Sequence, residues 1–194
     1  MKKILRNSIQ KLLSGFGLTL VRLKPVSGRS FARGSMRGAM KSLSDKDLPI
    51  GSIVDIGASD GHWAEMAIEF FPHINYLLIE AQAVHQEKLE AFIKKYPNSQ
   101  YCLSAAGDKV GKIFFDAGNP FGGQASYKPY EQNNIEVKVT TVDTEVNQRG
   151  LPGPFLLKLD THGFEVQILA GANEVLRNTQ VIVIECYVQY LTEN

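Results

Sequence analysis

Residues 53–63 read IVDIGASDGHW: an apolar run, an abrupt glycine turn and the polar start of the next element. Ile53, Val54 and Ile56 are β-branched and nearly continuous, the pattern of a strand buried on both faces. Gly57 and Gly61 interrupt it. The residues that follow His62, WAEMAIEFF, return apolar groups at helical spacing until Pro72 stops them. A strand that passes through a glycine turn into a helix is the opening unit of a parallel α/β sheet.

Outward from this turn the alternation repeats. Strand 75–80 (NYLLIE) precedes a helix over about 83–96, with Val84, Leu89, Phe92 and Ile93 apolar and a stop at Pro97. Strand 100–105 (QYCLSA) leads to the turn Gly107-Asp108, and two extended stretches, 112–116 and 135–141, flank a glycine-rich loop at 117–126. Strand 155–160 (FLLKLD) precedes a helix over about 163–170 and a helical turn near 173–177; strand 181–187 (VIVIECY) follows. Apolar strands separated by short helices predict an α/β class, a doubly wound and mostly parallel sheet covered on both faces. No internal repeat or low-complexity tract is present.

The length of 194 residues suits about one domain, and 44% hydrophobic with 21% charged residues suits a soluble globular chain. Cys102 and Cys186 lie within apolar runs at no metal-binding spacing, which predicts buried, reduced thiols and a cytoplasmic compartment. The net charge of +1 hides an asymmetry. Residues 1–44 hold ten Lys or Arg and no acid, whereas the remainder nets −9. The division expected is a basic N-terminal helix and connector over 1–45 and a main domain over 46–194.

Within that arm, Ile4, Leu5, Ile9, Leu12, Leu13 and Phe16 recur at helical spacing, with Lys2, Lys3, Arg6 and Lys11 on the other face. Gln10 and Lys11 interrupt the apolar stretch and no small-residue cleavage site follows, against a secretory signal. Nor does any run approach the roughly 18 apolar residues of a spanning helix. Three readings stay open: a helix packed on its own domain, a peripheral contact of residues 1–24 with the anionic inner face of a membrane, and a nucleic-acid arm. The last has only Phe16 and Phe31 to stack on bases. Residues 25–45, rich in Gly, Ser and Arg, read as a loose connector.

In doubly wound sheets the ligand sits at the carboxyl ends of the strands. Asp55, Glu80, Asp108, Asp160 and Glu185 all fall at or just past such ends. A dinucleotide turn would read G-x-G-x-x-G and cradle a pyrophosphate; here the spacing is Gly57-x-x-x-Gly61, with Asp55 two residues ahead. A carboxylate there repels phosphate and attracts a cation. S-adenosylmethionine carries an ammonium and a sulfonium and no phosphate, so it is the expected cofactor. Glu80, 23 residues after Gly57, matches the carboxylate that accepts from ribose hydroxyls. Gly107 and Asp108 would then face the adenine, and Asp60 caps the helix that starts near His62.

The ordered stretches VDIGASDGHW, LLIEAQ, SAAGD, VTTVDTEV, FLLKLDTHGFEVQILAGA and VIVIE together resemble FkbM-type methyltransferases over about residues 50–187. The most specific is Lys158-x-Asp160-x-x-Gly163-x-Glu165 followed by Gly171-Ala172. The resemblance implies a Rossmann-like class I methyltransferase fold, S-adenosylmethionine as donor and a hydroxyl acceptor, often on a sugar of a polysaccharide. By position it implies Asp55, Gly57, Ser59 and Gly61 along the methionine half, Glu80 at the ribose, Asp108 by the adenine and Asp160 facing the reacting methyl. The chain departs from the family at 162, where His stands in place of Glu or Gln. The family also adds a helix and a final strand pair after the fifth strand. Their absence here predicts an apolar edge at 181–187, covered by a missing remainder or by a second copy.

An alcohol acceptor must lose its proton, and His162 is the candidate base with Asp160 as the alternative base or electrostatic partner. Asp160-x-His162 with Glu185 invites a divalent-ion reading; no metal is assigned. Glu165 reaches either Lys158 or an acceptor hydroxyl, and Trp63 either packs in the core or walls the pocket. His73 and His85 receive no role. The loop AGNPFGGQASY (117–127) suits a lid or acceptor clamp, Phe121 and Tyr127 stacking on a sugar ring while Asn119 and Gln124 bond its hydroxyls. The competing functions are a nucleic-acid methyltransferase, against which the acidic body argues, and a non-catalytic methyltransferase fold that docks a membrane or partner.

Overall fold

The computed structural model describes residues 2–18 and 35–185. Phe31, Cys186, the connector over 25–34 and the last residues of the expected strand 181–187 lie outside them.

Among the described residues five parallel strands form the main sheet, in the order β3-β2-β1-β8-β9. These are β1 (Ser52–Ile56), β2 (Asn75–Glu80), β3 (Ser99–Leu103), β8 (Phe155–Leu159) and β9 (Thr179–Ile184). The order runs outward from β1 in both directions, so the chain reverses its winding between β1 and β8. Their register pairs Asp55 with Lys158 and Ile56 with Leu159. Because successive strand residues point to opposite faces, the apolar runs feed two cores. Val54, Ile56, Leu77, Ile79, Leu157 and Leu159 meet α1 (Lys2–Ser14), α5 (Val142–Arg149), α6 (Glu165–Ala170) and α7 (Asn173–Leu176). Ile53, Tyr76, Leu78 and Leu156 meet α2 (Met36–Ser44), α3 (His62–Ile68) and α4 (Gln86–Lys95). The doubly wound α/β sheet expected from the sequence is present.

The stretch expected as strand 100–105 is divided. β3 ends at Leu103, and β4 (Ala105–Ala106) peels away into a second sheet of order β4-β7-β5-β6. Its other strands are β5 (Gly111–Asp116), β6 (Gln124–Ser126) and β7 (Asn134–Thr140). Gly107 fits the junction: its N–H donates to Thr140 O at 2.9 Å, and a Cβ there would meet the Val139 side chain at 2.9 Å.

Two helices depart from expectation. α2 occupies part of the expected connector, where the Ser35 side chain accepts from Gly38 N and caps the first turn. α5 follows β7 directly, started by Thr141, whose Oγ1 accepts from Thr144 N, and ended by Gly150 in the left-handed region. The glycine-rich loop is shorter than read, because β6 pairs Ala125 opposite Phe115.

On α1, Ile9 and Leu13 are buried in the core with Ile168 and Leu169 of α6. This is the arrangement of a helix packed on its own domain. Among the described residues no helix is long and apolar enough to cross a membrane. β9 lies at the edge of the main sheet, with β8 as its neighbour.

Candidate functional site

Between β1 and β8 the chain leaves both strands toward the same end. There a cavity of about 160 Å³ opens, lined by Gly57, Ser59, Glu80, Gln82, Asp160, Thr161 and His162 on its polar side. Ile79, Phe115, Phe121, Phe164 and Ile168 form much of its apolar wall. Its floor is fixed by backbone bonds across the strands: Gly57 N and Ala58 N donate to Ile79 O, and Asp160 N donates to Ile56 O at 3.0 Å. Gly57 has φ +74°, and a Cβ on it would collide with the Asp160 carbonyl oxygen. Only glycine lets β1 and β8 close this far.

Three further residues hold positive φ beside the cavity: Ser59 at 52°, His162 at 56° and Gly163 at 117°. For Ser59 and His162 that conformation costs free energy, a strain that folded chains concentrate at functional sites. Ser59 is held by Glu80, whose Oε2 accepts from Ser59 N at 2.8 Å while Oε1 accepts from Gln82 N at 2.8 Å. Burial pushes the Glu80 carboxyl upward; the two backbone donors and the nearby His85 pull it down.

Asp160 carries a buried oxygen, Oδ1, with no hydrogen-bond partner among the described residues, and the carboxyl rises above the ordinary range through burial. Lys158 and His162 counter this rise, and the neighbouring Glu185 carboxyl adds to it. An unmatched carboxylate oxygen at a cavity wall is suited to a cationic ligand or a donated proton. No Lys or Arg is among the described residues that line the cavity. Nor do three His, Cys, Asp or Glu side chains, among the described residues, converge to hold a metal ion.

Of the residues expected at the site, Gly57, Ser59, Glu80, Phe121, Asp160 and His162 meet at this cavity. Asp55 does not, which corrects its assignment to the donor. It sits inside β1, fully buried, with Lys158 Nζ 2.9 Å from its Oδ1. Burial pushes its carboxyl up and the Lys158 charge pulls it down. Lys158 is buried too; it donates to Gly57 O at 2.8 Å, and its Nζ lies 5.9 Å from the Trp63 ring centre. The pair therefore braces the floor of the site from beneath. Trp63 packs against the core on that face.

Gly61 also lies off the cavity, with Phe92 and Leu78 where a Cβ would go. Asp60 accepts from His62 N at 3.2 Å, at the start of α3 as expected. Gly107 packs under Gly171, and Asp108 accepts from the Tyr127 hydroxyl at 2.8 Å. Tyr127 leans on Phe164, ring centres 5.5 Å apart, and burial with the Asp108 bond pushes its hydroxyl up to about 12. Asp108 and Tyr127 thus engage each other instead of lining the cavity. Gln124 lies in β6 opposite Asp116. Glu165 reaches neither Lys158 nor the cavity: its Oε1 accepts from Gly163 N at 2.9 Å and from Thr161 Oγ1 at 3.3 Å, which fixes the 161–163 turn.

Two residues without an expected role stand at the site. Gln82 lines the cavity, and His85 is buried. The one sequence cue for them is position: they follow Glu80 by two and five residues in the turn that leaves β2.

The sequence pattern of the methyltransferase FkbM domain matches residues 55–194. The chain belongs to this family. The match begins at Asp55, the residue that Lys158 braces, and includes every residue named above at the cavity. No curated protein matches the chain. Among solved structures, a precorrin-6y C5,15-methyltransferase from Geobacter metallireducens GS-15 superposes with a TM-score of 0.40 at 13% identity, over 82% of this chain and 65% of that one. The chain thus spans about two thirds of the length of that protein.

FkbM methyltransferase domains imply S-adenosylmethionine as donor, and the residues present fit it. Glu80 offers carboxylate oxygens, Asp160 an unmatched one, the Gly57 turn allows close backbone approach, and the apolar wall suits an uncharged base.

Proposed function

We propose that the chain is an O-methyltransferase that uses S-adenosylmethionine and acts on a hydroxyl of a sugar or a similar small hydroxylated acceptor. The observation that carries the donor half is the cavity at the reversal of strand order, with Glu80, Asp160 and His162 on its wall and no Lys or Arg among its described lining residues. Such a wall favours a cationic ligand over a phosphate-bearing one. The donor, when bound, supplies an electrophilic methyl group. Glu80 accepts from its ribose hydroxyls, and the turn over 57–61 carries its methionine end.

For the acceptor, Asp160 and His162 stand on the β8 side of the cavity and take up the hydroxyl proton as it leaves. The burial that lifts the Asp160 carboxyl makes it a better proton acceptor than an exposed aspartate at neutral pH. Phe121, at the cavity yet 68% exposed, presents a ring face of the kind that sugars pack on.

The donor half is tested by thermal denaturation. S-adenosylhomocysteine raises the melting temperature and NAD leaves it unchanged, because only a ligand of the native state stabilises it. A rise with NAD alone would sink the proposal.

Glu80→Ala weakens S-adenosylhomocysteine by about 1–3 kcal/mol through lost charged hydrogen bonds, read by calorimetric titration. The same titration has a pH signature. Glu80 binds as a carboxylate, and burial sets its protonation above the ordinary 4.5. Affinity in the parent protein therefore falls as pH drops, beginning above that value, and the fall is smaller in Glu80→Ala, where Asp160 is the remaining raised carboxyl at the cavity. Equal affinities in the two proteins at neutral pH would refute the ribose assignment.

A further inference from the structure

We infer that Gln82 and His85 are positioning residues that latch the 119–123 wall of the cavity to the donor turn, so that donor binding and closure of this wall are coupled. The inference rests on the donor assignment above.

The segment between β5 and β6 is internally tied. Asp116 Oδ1 accepts from Gly118 N, Asn119 Oδ1 accepts from Phe121 N, and Gly122 N donates to Asn119 O. These bonds shape the loop without fixing it to the main sheet. Gln82 and His85 do that. Gln82 Nε2 donates to Pro120 O at 2.9 Å and to Asn119 O at 3.2 Å, and His85 Nε2 lies 2.8 Å from Pro120 O. A carbonyl only accepts, so His85 Nε2 carries the hydrogen. The His85 ring also meets Phe121 edge-on, centres 5.4 Å apart. Phe121 is mostly exposed, so this contact and the bonds to its neighbour hold it at the cavity.

The other end of the latch is the Glu80 carboxylate. It accepts from Gln82 N and Ser59 N, and Ser59 Oγ lies 3.4 Å from His85 Nε2. Each Glu80 oxygen keeps a lone pair beside its amide bond, so a donor whose hydroxyls bond Glu80 adds to this network and steadies the backbone that leads directly to Gln82 and His85. The cavity closed by this wall measures about 160 Å³, against roughly 300–1,000 Å³ for small-molecule sites. Outward movement of 119–123 enlarges this space, and the Gln82 and His85 bonds oppose that movement.

Hydrogen exchange read by mass spectrometry on the full chain, with and without S-adenosylhomocysteine, tests this. Without ligand, the Gln82→Ala/His85→Ala variant exchanges amides of 117–123 at least about tenfold faster than the parent, while β1 and β8 are unchanged. With ligand, the parent slows exchange at both 57–61 and 117–123, and the double variant slows it at 57–61 alone. His85→Gln, which keeps a donor, retains most of the loop protection. If exchange in β1 rises as well, the comparison is made on Gln82→Ala alone. A loop protected equally in parent and variants overturns the latch. A parent in which the ligand protects neither segment overturns the donor assignment and the coupling together, and the ligand-free comparison still decides the latch itself.

Discussion

Lys158→Met is expected to destabilise the chain by about 3–5 kcal/mol, measured by denaturant unfolding at neutral pH. The cause is the partner left behind. Asp55 is fully buried beside Lys158, and among the described residues neither carboxylate oxygen has another hydrogen-bond partner. Removing the ammonium strands a charge in a low dielectric, which costs more than the pair contributed when intact. Replacing both, as Asp55→Leu/Lys158→Met, recovers most of the loss, because an apolar pair of similar volume owes no desolvation.

The single variant also has a pH signature. Without Lys158 only burial acts on Asp55, so its folded pKa rises further above the unfolded value. A raised group is tolerated below its unfolded pKa and penalised as pH climbs through its folded one. The deficit of Lys158→Met therefore shrinks on acidification, and that of the double variant stays flat. A deficit independent of pH would show that Asp55 is not the cause.

That ion pair also shows where the sequence is legible and where it is not. β1 and β9 announce themselves as runs rich in Ile and Val, β2 and β8 as Leu-rich apolar runs, and alternating helices then dictate a parallel sheet. The apolar periodicity says nothing of register. Asp55 looked like an acid at a strand end, yet it lies one residue inside β1 and faces the helix layer that holds Trp63. Opposite it, by register, stands Lys158. A cation 103 residues away in sequence cannot be assigned to it from spacing alone.

Asp108 misleads for a related reason. Its partner, Tyr127, arrives through antiparallel pairing in the second sheet, which is set by contacts between distant segments. α5 was hidden by its composition, VDTEVNQR, which has little apolar periodicity; the Thr141 cap and the Gly150 stop were its only local signals. By contrast Gly57, Ser59, Glu80, Asp160 and His162 are legible. Each is fixed by its place at or just after the end of a strand, and strand ends are what the pattern determines best.

Gly57→Ala tests whether that legibility extends to the turn itself. At φ +74° an alanine pays about 1–2 kcal/mol for the left-handed backbone. Its Cβ would also overlap the Asp160 carbonyl oxygen and lie 3.0 Å from the Asp160 carbonyl carbon. Neither atom can yield without moving β8, because Asp160 N is bonded to Ile56 O. The strands must part where the cavity begins, so the total loss is expected to reach about 3–5 kcal/mol.

Gly150→Ala is the control. Gly150 also has positive φ, 59°, with nothing within 4 Å of an added Cβ, so it pays only the backbone cost. Parting the strands also displaces Asp160 from the turn that carries Ser59. Gly57→Ala therefore loses at least about tenfold in S-adenosylhomocysteine affinity, and Gly150→Ala loses none. Unfolding and titration of the two variants side by side separate strain from collision. If Gly57→Ala proves no less stable than Gly150→Ala, the close approach of β1 and β8 is not what the glycine provides, and the donor turn must be held by Lys158 and Glu80 alone.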